Sequence, residues 1–250
     1  MTLLSRDLTI GVVGAGVMGS GIAQVLAVAG YKTVCCDIDE QALTQGREHV
    51  TTGRYGLDRA VEREKLTSEE AASALSRLQF TTDLDLVAAS DLVIEAVPEN
   101  IDLKINIFRD LDQRAPQATI LASNTSGLSI NKIAAATSRP ELVVGWHWAS
   151  PAPVMALAEI IRTPTTSEST IATVSEVAQA CGKNPVVVND FPEVWGFVAN
   201  RIYFAMIAEA NQVVADGVAT KDQVDQIMVD CFRWPAGPFG MVRGATKGWS

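Results

Sequence analysis

The chain has 250 residues, 48% of them hydrophobic, which is enough for the core of one large domain or two unequal domains and excludes an intrinsically disordered chain. Twenty Lys and Arg against twenty-nine Asp and Glu give a formal net charge of −9. Because so acidic a surface repels phosphate backbones and anionic headgroups, we expect neither nucleic acid nor a membrane as a partner.

The cysteines predict a reduced chain. They are Cys35, Cys36, Cys181 and Cys231. No pair of them has the spacing of a zinc site, and the first two are neighbours in one predicted strand. We therefore predict no metal site and a cytoplasmic location.

The first predicted elements lie in an uncharged run from Ile10 to Tyr31, which is long enough to cross a membrane. Six glycines dilute its hydrophobicity. No basic cluster precedes it and no cleavage-type site follows it, as a signal peptide would require. The run is therefore interpreted as a strand, a turn and a helix of a soluble domain.

A dinucleotide-binding turn is predicted where the strand Thr9–Val13 leads directly into the pattern G-x-G-x-x-G. Gly14 permits the tight turn, Gly16 lets the backbone approach a pyrophosphate, and Gly19 lets the helix lie close to the strand. The free N–H groups at the start of the helix favour the phosphates. The residues expected to contact the cofactor here are Gly14, Gly16, Val17, Met18 and Gly19.

The second predicted strand ends at Asp37, whose carboxylate can accept hydrogen bonds from an adenosine ribose and would repel a 2′-phosphate. NAD is therefore preferred over NADP, because the nearby cation Arg47 lies a helix's length further on. A glycine-rich first turn also suits FAD or S-adenosylmethionine, so it predicts the fold better than the chemistry.

Strand-like apolar runs alternate with helical periods, which predicts an α/β domain of Rossmann type with a doubly wound, mostly parallel sheet over residues 1–191. The predicted strands are Thr9–Val13, Thr33–Cys36, Leu92–Val97, Thr119–Ala122, Leu142–His147, Leu157–Arg162 and Pro185–Val188. The predicted helices are Gly19–Ala29, Glu40 to about Arg63, Thr67–Leu78, Leu103–Arg114, Ser129–Ala136 and Ser167–Cys181.

After Pro192 the pattern contains no further strand signal. Helical patterns cover Gly196–Asp216 and a segment from Thr220 to just before Pro235, the second opened by a capping box. We therefore predict a small all-helical domain over residues 192–250.

His147 and Glu159 are the candidate acid–base pair. His147 ends a predicted strand, so its ring should emerge at the carboxyl edge of the sheet, where ligands of doubly wound folds bind. Glu159 lies in an apolar strand and needs a partner to offset its burial. If the strands are neighbours, the glutamate orients the imidazole as a general base. The alternatives are pairing of Glu159 with Arg139 or Arg162, and a histidine that is only a core residue.

Several motifs together resemble the 3-hydroxyacyl-CoA dehydrogenase family, in order from about Leu8 to Phe239. The segments that carry the resemblance are Gly14–Gly19, Asp37, Val93–Asn100, Ser123–Ser126, Gly145–Trp148, Pro151–Met155, Glu159–Ile161 and Gly196–Arg201. The resemblance implies NAD-dependent oxidation of a 3-hydroxyacyl-CoA to the 3-ketoacyl-CoA. It also implies a Rossmann domain followed by a helical domain that mediates dimerisation.

By position, the resemblance assigns His147 as the general base and Glu159 as its orienting partner. It implies that Ser126 and Asn200 hydrogen-bond the substrate oxygens, with Ser126 also near the nicotinamide. On the residues alone, Ser126 can instead cap the following helix, and Asn200 can cap or pack at the start of its own helix.

Three further positions are implied at the cofactor. Glu99 and Lys104 match a pair that faces the cofactor in the family, although solvated surface charges are the alternative. Ser150 stands where the family usually has a cofactor-contacting asparagine.

The resemblance is weaker for the CoA than for the redox chemistry. The family's CoA-contacting serine and lysine have no match, which leaves Arg54, Arg59 or Lys65 as candidate phosphate partners. The segment Asp190–Phe197, beside the expected substrate pocket, is longer than the family pattern.

The leading hypothesis is an NAD-dependent dehydrogenase of a short-chain 3-hydroxyacyl-CoA. The sequence stops soon after Phe239, which is expected either for an abbreviated helical domain or for a truncated chain. In both cases we expect the apolar side chains of this domain to be covered in a homodimer. The alternatives are a dehydrogenase of the same fold acting on a hydroxy acid or alcohol without CoA, and a non-catalytic NAD-binding subunit.

Overall fold

The structure, a computed structural model, describes residues 7–248 and, for residues 245–248, the backbone alone. The strands are β1 (Thr9–Val13), β2 (Lys32–Cys36), β3 (Leu78–Thr81), β4 (Leu92–Glu95), β5 (Ile120–Ser123), β6 (Val143–Trp148), β7 (Leu157–Arg162) and β8 (Asn184–Asn189). The α-helices are α1 (Val17–Val28), α2 (Glu40–Thr51), α3 (Leu57–Glu62), α4 (Ser68–Arg77), α5 (Leu84–Ala88), α6 (Ile101–Arg114), α7 (Ile130–Ala134), α8 (Glu168–Ala180), α9 (Val198–Ala215), α10 (Lys221–Phe232) and α11 (Pro238–Gly248).

The strands form one sheet in the order β3-β2-β1-β4-β5-β6-β7-β8. Neighbouring strands are parallel throughout, except that β6 and β7 are antiparallel. The strand order reverses at β1, so the crevice between the carboxyl ends of β1 and β4 is the switch point at which such sheets bind ligands. The predicted Rossmann-type α/β class is confirmed.

The core explains why the central strands are continuous apolar runs. All residues of β4, β5 and β6 are buried, as expected for strands covered by helices on both faces. Helix α1 contributes Ile22 and Leu26 to a cluster that also contains Trp146 and Ile160. Burying side chains of this size contributes about 1.5–3 kcal/mol each, so the packing of α1 on the sheet holds the glycine turn in place.

Two predicted helices differ from the structure. The segment from Glu40 to Arg63 is two helices, because the chain turns between α2 and α3. A Cβ on Gly56, in that turn, would lie 2.5 Å from the carbonyl oxygen of Thr51. The helix predicted to end at Leu78 ends one residue earlier, and Leu78 begins β3, a strand absent from the prediction.

The chain divides into two compact units, Met1–Trp195 and Gly196–Ser250. The second unit contains α9, α10 and α11, and its buried cluster consists of Ala210, Val224 and Phe239. Asp225 accepts a hydrogen bond of 2.8 Å from the backbone N–H of Phe239, which fixes the start of α11. Among the helices within residues 7–248, none combines the length and the apolar character needed to cross a bilayer.

Candidate functional site: a glycine turn and a histidine at one sheet edge

The glycine turn has the geometry of a dinucleotide site. Gly14 has φ +101° and donates its N–H to the carbonyl of Cys36 at 2.7 Å, which closes the turn on β2. A Cβ on Gly19 would lie 1.8 Å from the carbonyl oxygen of Gly14, so α1 can approach β1 only with glycine there. A Cβ on Gly16, in contrast, would meet no atom within 4 Å. The space that Gly16 leaves open fits the pyrophosphate that such turns bind.

Asp37 follows β2 and lies against the same turn. Its Oδ2 accepts a hydrogen bond of 2.8 Å from the backbone N–H of Ala15. Arg47 instead lies over the ring of Phe80 at 5.3 Å and donates to its carbonyl at 3.4 Å. Next to Asp37, the side chain of Ile38 is 98% exposed. A carboxylate beside an exposed apolar side chain fits an adenosine with an unphosphorylated ribose.

The histidine and the glutamate meet across the antiparallel pair. His147 of β6 is directly opposite Glu159 of β7, and the His147 Nδ1 to Glu159 Oε2 distance is 2.7 Å. Both side chains are buried. The other candidate partners of Glu159 are engaged elsewhere, since Arg139 pairs with Asp112 and Arg162 pairs with Glu168.

The loop after β5 places Ser126 near this edge. Oε1 of Glu99 accepts hydrogen bonds from the backbone N–H of Ser126 at 2.8 Å and from the hydroxyl of Thr125 at 2.6 Å. Oδ1 of Asn124 accepts the backbone N–H of Trp148 at 2.9 Å, which joins the loop to the strand that carries His147. The cap of α7 is Ser129, so Ser126 does not serve as the helix cap.

A buried ion pair lies behind this loop, and sequence reasoning missed one of its members. Lys104, whose side chain is 1% exposed, lies 2.6 Å from Oε1 of Glu95 and 3.5 Å from Oε2 of Glu99. Its ammonium also donates to the carbonyl of Val97 at 3.1 Å. Desolvation by burial raises the pKa of Glu95, and the charge and hydrogen bond of Lys104 oppose that increase. A carboxylate at the end of the apolar run before Ala96 was the signal that could have identified Glu95.

The remaining predicted site residues lie at separate places. Ser150 follows β6 and is half-buried. Met18 and Val17 lie in the first turn of α1, where Val17 is 62% exposed. Asn200 lies in the first turn of α9, in the second unit.

The first unit also contains a cleft of about 470 Å³ between α1, α3 and the segment after β6. Four cations line it, Arg59, Arg63, Lys65 and Lys183, and none of the described lining residues is acidic. Lys183 donates to the carbonyls of Ala152 and Met155 at 2.7 Å each, and burial lowers its pKa. In a chain of net charge −9, this concentration of positive charge fits an anionic ligand.

Sequence profiles of one family match both units. The profile described as "3-hydroxyacyl-CoA dehydrogenase, NAD binding domain" matches residues 9–191, and the profile of the family's C-terminal domain matches residues 196–249. The probable 3-hydroxybutyryl-CoA dehydrogenase of Bacillus subtilis is 42% identical over 230 residues, which are 92% of this chain and 78% of that protein.

Solved structures give the same assignment. The (S)-3-hydroxybutyryl-CoA dehydrogenase of Ralstonia eutropha has a TM-score of 0.87 and 44% identity, covering 93% of this chain and 80% of that chain. A diketoreductase described as acting on dicarbonyl compounds has a TM-score of 0.83 and 31% identity, covering 93% of this chain and 81% of that chain. The glycine turn, the carboxylate of Asp37 beside it and these similarities agree, and the chain belongs to the 3-hydroxyacyl-CoA dehydrogenase family of NAD-dependent oxidoreductases.

Proposed function

We propose that the enzyme oxidises the C3 hydroxyl of a short-chain 3-hydroxyacyl-CoA, with His147 as the general base and Glu159 as its orienting partner. The observation that carries this proposal is the 2.7 Å contact between Nδ1 of His147 and Oε2 of Glu159 at the carboxyl edge of the sheet. A buried carboxylate needs a cationic or donating partner, and here the imidazole is that partner. The relatives named as 3-hydroxybutyryl-CoA dehydrogenases support the short chain length.

The proton in this reaction moves to His147. With Nδ1–H donating to Glu159, the neutral ring carries its lone pair on Nε2, which takes the proton of the C3 hydroxyl as the carbonyl forms. The ionised Glu159 stabilises the resulting imidazolium and keeps its ring in place. NAD⁺, when bound, accepts the hydride that leaves C3. Ser126 and Asn200 are proposed to hydrogen-bond the substrate oxygens.

The cofactor is proposed to lie along the edge from Asp37 to Ser126. Gly14, Gly16 and Gly19, with the N–H groups of Val17 and Met18, are proposed to hold the pyrophosphate. Asp37 would accept from the adenosine ribose. Glu99 and Ser150 are proposed to face the nicotinamide half, and Lys104 to act indirectly, since its ammonium reaches Glu95 and Glu99 inside the protein.

The cationic cleft supports a CoA substrate. Arg63 and Lys65 present guanidinium and ammonium groups that pair well with phosphates, and Arg59, which is paired with Glu62, lines the same cleft. They take the place of the family's missing serine and lysine, and Arg54 lies beside them in the sequence.

A second candidate function is the oxidation or reduction of a small substrate without CoA. The diketoreductase, described as acting on dicarbonyl compounds, has the same fold over most of its length, which supports this candidate. In this chain, Ser150 and the longer segment Asp190–Phe197 favour a pocket that differs from the family pattern. The two candidates share the acid–base pair and differ in the role of the cleft.

We expect the variant His147→Gln to lower kcat by about 10²- to 10⁴-fold, because the general base is lost. The dissociation constant for NADH should stay the same, since His147 does not take part in the glycine turn. NADH formation from 3-hydroxybutyryl-CoA and NADH fluorescence on binding measure the two quantities.

The matched control is His49→Gln, which changes the exposed histidine of α2 and should turn over like the unchanged enzyme. If the His147→Gln variant turns over within about twofold of the unchanged enzyme, the imidazole of His147 is not the general base. Loss of NADH binding in that variant would instead indicate a role in folding or cofactor binding.

We also propose a cytoplasmic homodimer formed through the second unit. Its helices α9 and α10 expose Ile202, Phe204, Ile227 and Phe232 to solvent, and the connection between them exposes Val218. Apolar surface of this extent commonly marks a subunit interface.

A further inference from the structure

Three charged side chains form a joined cluster between β4, α6 and the loop after β5. Lys104 is the centre, 2.6 Å from Oε1 of Glu95 and 3.5 Å from Oε2 of Glu99. Glu95 and Lys104 are buried, whereas the side chain of Glu99 is 35% exposed. The catalytic steps proposed above do not use this cluster as a source or acceptor of protons.

The contacts of Glu95 favour its carboxylate form, against the desolvation that raises its pKa. Its Oε1 accepts from the ammonium of Lys104 and from the backbone N–H of Val97 at 2.8 Å. Its Oε2 accepts a hydrogen bond of 2.6 Å from the hydroxyl of Ser123. The oxygen of that hydroxyl in turn accepts a hydrogen bond of 3.2 Å from the backbone N–H of Thr125. Three donors therefore face Glu95, an arrangement that suits an ionised carboxylate. With Glu95 ionised, two carboxylates and one ammonium leave the cluster with a net charge of about −1.

The cluster lies at the cofactor edge of the sheet. β4 is the direct neighbour of β1 across the switch point. A Cβ on Gly14 would lie 2.8 Å from the carbonyl oxygen of Ala96, the residue after Glu95, so the end of β4 packs against the glycine turn itself. Glu99, the exposed member, holds the backbone of Ser126 at the same edge. The net negative charge of the cluster therefore lies at the edge of the sheet where the nicotinamide half of the cofactor is proposed to bind.

We propose that the net negative charge of this cluster favours the binding of NAD⁺, whose nicotinamide ring is positively charged, over the binding of NADH, whose ring is neutral. The inference rests on the part of the proposed function that places Glu99 at the nicotinamide half of the site. Lys104 acts as a positioning residue, since it holds both carboxylates in one arrangement. The cluster would favour oxidation of the alcohol by strengthening the binding of NAD⁺ relative to that of NADH.

The test is the ratio of the dissociation constants for NAD⁺ and NADH in Glu99→Gln. Glutamine keeps an oxygen for Thr125 and Ser126 while removing the charge, so the loop should keep its fold. The ratio Kd(NAD⁺)/Kd(NADH) should rise about three- to tenfold, the range expected for one partly solvated charge acting on another over several ångströms. Calorimetry measures NAD⁺ binding and fluorescence measures NADH binding, both without substrate.

The matched control is Asp102→Asn, which removes the same charge from the exposed first turn of α6. Its ratio should equal that of the unchanged enzyme, and thermal melting should show both variants folded. Equal weakening of NAD⁺ and NADH in Glu99→Gln would overturn the charge inference while supporting the proposed place of Glu99 in the site. No change in either constant would overturn that placement as well.

Discussion

Gly16 and Gly19 lack a side chain for different physical reasons. Gly19 is required by the protein itself, because a Cβ there would overlap the carbonyl oxygen of Gly14 at 1.8 Å. Gly16 has φ −63° and open space around it, so the fold would accept alanine at this position. The open space beside Gly16 is therefore not needed by the fold and is available to a ligand.

We expect Gly16→Ala to keep the free energy of unfolding within about 1 kcal/mol of the unchanged enzyme. Its affinity for NADH should fall at least about tenfold, because the methyl group occupies the approach to the pyrophosphate. Gly19→Ala should instead lose several kcal/mol of stability, about 3 or more, since backbone atoms must move. Urea unfolding and NADH fluorescence separate the two effects. If the Gly16→Ala variant is folded and binds NADH as well as the unchanged enzyme does, the cofactor does not bind at this turn.

The sequence was informative about single residues where burial and charge conflict. Glu159 was predicted to need a partner because it lies among apolar neighbours, and His147 is that partner. The same reasoning applied to Glu95, at the end of an equally apolar strand, would have predicted its ion pair with Lys104. Asn200 is different, since no property of the residue itself indicates what it contacts.

At the scale of elements, the sequence predicted the buried strands well and the short edge strand poorly. β3 comprises only Leu78–Thr81, is not fully buried at any residue and follows α4 without a Gly or Pro between them. The helix period of α4 therefore continues into it. β6 and β7 were predictable as an antiparallel pair, because the residues 149–156 between them are too few for the usual helical crossover.

The cleft gives an element-scale prediction, because α1, α3 and the segment after β6 build it together. The double variant Arg63→Ala/Lys65→Ala should raise KM for 3-hydroxybutyryl-CoA about 30-fold with kcat little changed, since about 1 kcal/mol of phosphate pairing is lost at each of the two exposed cations. Activity with free 3-hydroxybutyrate, however low, should be unaffected. Steady-state NADH formation with both substrates measures this.

Arg109→Ala is the control for that variant, because it removes a cation from the exposed face of α6, away from the cleft. An unchanged KM for 3-hydroxybutyryl-CoA in the double variant would show that the cleft does not bind the CoA. Equal or higher turnover of free 3-hydroxybutyrate by the unchanged enzyme would favour the candidate function without CoA.

At the scale of the whole molecule, the order of strand and helix signals predicted the α/β class, and the change after Pro192 predicted where a helical segment begins. Composition could not predict how the second unit's surface is used, because apolar residues on amphipathic helices look alike whether they meet their own chain or another. Ile227, for example, lies in an ordinary helical period and is 58% exposed.

We expect the enzyme to be a dimer at micromolar concentration and Ile227→Asp to be monomeric, because a carboxylate in an apolar interface loses its hydration. Size-exclusion chromatography with light scattering gives the mass. Leu86→Asp, which changes an exposed leucine of α5 in the first unit, should remain dimeric. A monomer for the unchanged enzyme would leave the exposed apolar helices without this explanation.

The pairing of His147 with Glu159 across one rung of a β-ladder has an evolutionary consequence. Backbone hydrogen bonds of the two strands fix that rung, and the connection between them does not have to keep a given length or composition. Insertions and substitutions can therefore accumulate in the connection during divergence, while the pairing of His147 with Glu159 is kept. A protein that diverges on this scaffold can therefore acquire a new alcohol substrate and keep the proposed proton acceptor, His147.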